Sequence, residues 1–115
     1  MAKVLIKKIG MSPKVADIEV SRKTFLELMG EHKFIEILHD LRLVVSTSNM
    51  MPYNIALRYT GDKDEDVAYA SGTVVFMSKS GDISDEQIEE INSRLNFFAL
   101  SRDDKEYPIH SYLMD

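Results

Sequence analysis

The hydrophobic period changes at Ser21, and that change restricts the fold more than any other feature of the chain. From Lys14 to Val20, apolar and polar residues alternate. Ala16, Ile18 and Val20 face one way, and Val15, Asp17 and Glu19 the other. Period two is the pattern of a half-buried strand. After Ser21, a plausible N-cap, Phe25, Leu28 and Met29 fall at helical spacing and Gly30 supplies a stop. A helix of about two to three turns is marginal alone, so it has to dock on a sheet.

The remaining elements follow from the same reading. Lys3–Ile9 is rich in β-branched residues, and Gly10-Met11-Ser12-Pro13 is a turn, so residues 3–20 read as a hairpin. Lys33–Leu38 and Leu41–Ser46 read as strands, with a tight turn at His39-Asp40. A Met-rich loop ends at Pro52, and residues 54–59 fit a short strand or a helical turn. Val67–Met77 reads as one long strand in which Gly72 marks a bulge or a close approach. Ser84-Asp85-Glu86-Gln87 has the spacing of a capping box. The stripe Ile88, Ile91, Leu95 and Phe98 extends the expected helix over 84–100. The tail 102–115, with Tyr107, Ile109, Tyr112 and Leu113, is expected either to dock as an edge strand or to stay flexible. The expectation is a single α+β domain over 1–115: a mostly antiparallel sheet of about five strands in ββαββ…βα order. A short helix and a longer C-terminal helix complete it.

Composition narrows the function classes. The 115 residues contain no Cys, which excludes a disulfide framework, thiol catalysis and thiolate metal sites. No stretch has the apolar length of a membrane span or a signal peptide, so a cytoplasmic location and no membrane partner are expected. The formal charge of −5 is unevenly spread. Residues 1–60 carry nine bases and six acids, a net +3, and residues 61–115 carry five bases and thirteen acids, a net −8. An ordinary nucleic-acid binder is more basic, so direct nucleic-acid binding is not expected.

The order of the pieces resembles a family of small uncharacterised proteins from bacteriophages, plasmids and conjugative elements. The resemblance covers residues 3–100 and rests on Leu26–Gly30, Pro52 and Asn54, Gly72–Phe76 and Ser84–Ile88. The family loop usually reads Pro-x-Asn-Arg, whereas here Asn54 is followed by Ile55. The resemblance implies an α+β fold and a mobile-element origin, hence the cytoplasm of a bacterial host. It implies no established activity.

No catalytic pattern stands out. His32, His39 and His110 lack the spacing of a metal motif, and Asp62-x-Asp64-x-Asp66 lacks the Gly and Glu that complete a calcium loop. No cofactor, metal or catalytic residue is expected, and the chain reads as a non-enzyme. Met50-Met51-Pro52-Tyr53 is the main surface candidate, since Met adapts to varied partners and Tyr is enriched at interfaces. Met50 and Met51 could equally plug the end of the core.

The first reading is an interaction module that binds or inhibits a host protein. Asp62, Asp64, Glu65, Asp66, Glu86, Glu89 and Glu90 would present an acidic surface to a nucleic-acid-processing enzyme, as in counter-defence. The alternative is a small-ligand or nucleotide-binding protein using Asn54 and Arg58. A third reading is a structural or DNA-associated accessory protein. Edge-to-edge pairing could also form a homodimer.

Overall fold

The alternating N-terminal segment folds as the hairpin its pattern predicts, with β1 (Ala2–Lys7) antiparallel to β2 (Lys14–Ile18). The structure, a computed structural model, describes residues 1–37, 40–63 and 66–115. Ser21 caps α1 (Arg22–Met29) by accepting the Thr24 N–H at 3.2 Å. Gly30, at φ +77°, ends the helix by donating to the Leu26 carbonyl. The strands β3 (His32–Ile37) and β4 (Leu41–Ser46) pair antiparallel. Leu38, the expected end of the first of these strands, and His39 of the turn expected at His39-Asp40 lie outside the described residues.

The ambiguous stretch after Pro52 is a strand, β5 (Tyr53–Arg58). The single long strand expected over Val67–Met77 is two strands, β6 (Ala68–Ser71) and β7 (Val74–Ser78). Gly72, at φ +73°, turns the chain between them, and its N–H donates to the Pro52 carbonyl at 3.0 Å. An L-residue with a Cβ would be strained at that φ. The capping box at Ser84 and Gln87 opens α2 (Asp85–Arg94), with both reciprocal bonds formed. Two strands follow, β8 (Leu95–Arg102) and β9 (Lys105–Leu113).

The expected α+β architecture is therefore corrected. Of the described residues 50% are in strands and 17% in helices, arranged as two sheets. No helix occupies the C-terminus. The segment expected to be helical over 84–100 leaves the helix at Arg94, because Leu95 and Phe98 do not share a helical stripe. They sit on opposite faces of β8, Leu95 against the core and Phe98 opposite Ile109 on the outer side. The tail 102–115 is not an edge strand: β9 lies inside its sheet, between β5 and β8.

The first sheet has the order β2-β1-β7-β4-β3 and the second β6-β5-β9-β8. Pairing is antiparallel except for β5 with β9. Alternation gives the central strands of the first sheet two buried faces. Leu5, Leu43, Val45 and Phe76 meet Ile55, Leu57 and Tyr112 of the second sheet, and Ile83 and Ile91 join them. On the opposite face Val4, Val44, Val75 and Met77 pack on Phe25 of α1. The short helix is thus pinned by one buried ring, and truncating a buried Phe costs about 3–5 kcal/mol. Among the described residues no helix is long and apolar enough to cross a membrane.

Candidate binding face

The two sheets are joined at one end by a polar link. Lys7, at the end of β1, and Asn54, on β5, are both fully buried. The Lys7 ammonium donates to Asn54 Oδ1 and to the Asn54 carbonyl, the latter at 3.3 Å. The Asn54 amide donates back to the Lys7 carbonyl at 2.9 Å and to the Gly72 carbonyl at 2.7 Å. One side chain therefore ties β1, β5 and the β6–β7 break together. Burial lowers the Lys7 pKa to about 8. His110, buried on β9, is also lowered, by burial first and then by the Lys7 charge, and its Nδ1 has no partner. Asn54 thus belongs to the seam rather than to an open pocket.

The opposite, outer face of the second sheet is more exposed. Residues paired across antiparallel or parallel strands share a face, so the registers Ala56–Tyr69, Ala56–Ser111, Phe98–Ile109 and Leu100–Tyr107 place these side chains together. Ala56 and Ser111 are small and make a floor, Tyr69, Phe98 and Leu100 make walls, and Arg58 and Arg102 stand at the rim of a depression of about 300 Å³. The ring centroids of Tyr53 and Tyr69 are 5.2 Å apart, and those of Tyr53 and Tyr107 are 6.0 Å apart. The Arg102 guanidinium lies over both Tyr53 (5.4 Å) and Tyr69 (4.9 Å) and donates to the Tyr53 hydroxyl at 3.1 Å. Exposed cation–π contacts contribute about 0.5–1 kcal/mol each, enough to hold the arginine in place.

Tyr53 and Tyr107 also line an adjoining hollow with Met50, Met51 and Pro52. Met50 is 91% exposed and Met51 54% exposed, so neither plugs the core. Of the residues singled out from the sequence, Met50, Met51, Tyr53 and Arg58 thus share one contiguous face. Tyr69, Arg102 and Tyr107 are its members that sequence reasoning missed. Their proximity comes from strand pairing between distant segments, and no local spacing signals it.

Of the predicted acids, Glu86 and Glu90 line a groove beside α2 together with Asp82, and Asp62, Asp66 and Glu89 do not line it. Asp62 Oδ2 accepts the Tyr59 N–H at 2.8 Å, and Glu90 binds Arg94 at 2.8 Å. Asp66 is exposed on its loop, and Glu86 and Glu89 are exposed on α2. Asp64 and Glu65 lie outside the described residues. Among the described residues no three His, Asp or Glu side chains are placed to hold a metal ion.

Comparison with protein families, with curated proteins and with solved structures finds no match to this chain.

Proposed function

We propose that the chain is a non-enzymatic interaction module whose contact surface is the outer face of the second sheet together with the Met50–Tyr53 loop. The observation that carries this reading is the cluster of Tyr53, Tyr69, Tyr107 and Arg102, flanked by two exposed methionines. Tyr and Arg dominate the energetics of protein interfaces, and Met is enriched there. Rings already held against one another lose little further conformational freedom on binding, which favours affinity. In the mobile-element setting that the family resemblance implies, the partner is a host protein.

The acidic surface has less geometric support as the contact, because Asp62 and Glu90 are engaged locally. Immobilised protein offered host lysate separates the two surfaces. A Met50→Ser, Met51→Ser double variant is expected to retain at least about tenfold less partner, the scale of one hot-spot residue. A Glu86→Gln, Glu89→Gln variant is expected to retain it fully. The reverse pattern would move the contact to α2, and a chain that retains nothing specifically would overturn the reading.

A further inference from the structure

Resting on that reading, we propose that the depression between Arg58 and Arg102 receives an oxyanion of the protein partner, a carboxylate or a phosphorylated side chain. Charge segregation carries the inference. Among the described residues no carboxylate lines this depression, although the chain as a whole is at −5. Asp82, Glu86 and Glu90 instead line a separate groove beside α2. Among the described residues, neither Arg58 nor Arg102 has an ion-pair partner.

The two cations are also positioned differently. Arg102 is held over two tyrosine rings and gives one N–H to the Tyr53 hydroxyl. A guanidinium carries five such donors in a planar fork, so its remaining edge is available for bidentate contact with a carboxylate or phosphate. Arg58 is half-buried at the end of β5, where its N–H groups have no acceptor among the described residues. The small side chains of Ala56 and Ser111 leave room in the depression, which both arginines line, for a side-chain-sized group. A stacked nucleobase fits less well, because the guanidinium already covers Tyr53 and Tyr69.

Calorimetric titration of the full chain tests this with three probes: a Glu-rich peptide, the same peptide carrying one phosphotyrosine, and a single-stranded DNA oligonucleotide. At least one peptide is expected to bind. Whichever binds more tightly identifies the oxyanion source. Arg58→Gln and Arg102→Gln should each weaken that peptide about 10- to 100-fold, the scale of hydrogen bonds to charged groups. Arg58→Lys, which keeps the charge, should lose less, and circular dichroism of each variant checks that the fold persists. The inference is overturned if neither peptide binds, if the arginine variants bind unchanged, or if the oligonucleotide binds in preference. If the methionine variant loses the host partner while both Gln variants keep it, the interaction module stands and the oxyanion site falls.

Discussion

A lysine ammonium taken out of water is costly unless acceptors surround it, and a carboxylate is its usual partner. Lys7 has carbonyl oxygens instead, those of the Asn54 side chain and of the Asn54 and Lys8 backbones. Neutral acceptors compensate burial only partly, so its pKa falls from 10.5 to about 8. Below pH 8 both folded and unfolded chains carry the proton, and the full cost is present. Between about pH 8 and 10.5 the folded chain releases it first, and stability should rise by up to about 3 kcal/mol. Tyr112, whose hydroxyl pKa is raised by burial, acts in the opposite direction above pH 10. His110, lowered by burial and by Lys7, removes stability as pH drops below 6.5. Urea unfolding at pH 7, 8, 9 and 9.5 should show the alkaline rise in the natural chain and a flat profile in Lys7→Met. An equal rise in both would assign it to another group. Nothing in the sequence pointed to this link. Lys7 and Lys8 are adjacent and chemically identical, and only the direction in which the strand turns each side chain separates the buried lysine from the exposed one.

At the scale of elements, the helix starts and caps were legible because their signals are local. Ser21 and Ser84 each cap the helix that their neighbours predict. The ends of elements were harder to read. Ile88, Ile91, Leu95 and Phe98 fit a helical stripe, and the pairing of Leu95–Arg102 with eight residues of β9 overrides it. The turn between β8 and β9 held the missed signal. Asp103 and Asp104 both have positive φ, at 50° and 62°, which is the two-residue hairpin turn that Asn-Gly fills best. A left-handed conformation costs a non-glycine residue about 1–2 kcal/mol, less for Asp. Asp103→Asn with Asp104→Gly should therefore stabilise the protein by about 1 kcal/mol and raise its melting temperature by about 4 °C. A thermal melt that stays put or falls would mean that the two aspartates make compensating contacts.

Across the whole molecule, one turn at Gly72 divides what reads as a continuous strand between two sheets, and the layering follows from it. Sequence reasoning merged β6 and β7 because both are apolar and the break is only Gly72-Thr73. Local alternation cannot report which sheet a strand joins. The layering predicts unequal protection. In the first sheet, β7 and β4 lie between α1 and the second sheet and should hold the slowest-exchanging amides. The edges β2, β3, β6 and β8 should exchange sooner. Hydrogen exchange read residue by residue checks this, and equally slow edges would point to a covering partner.

The parallel pairing of β5 with β9 has a consequence during synthesis. Residues 53–58 leave the ribosome long before residues 105–113, and until then one side of β5 has only solvent, or another chain, to bond. The second sheet, and with it the proposed contact surface, is therefore completed last. A nascent chain halted before Lys105 would offer the open flank of β5 to any passing strand.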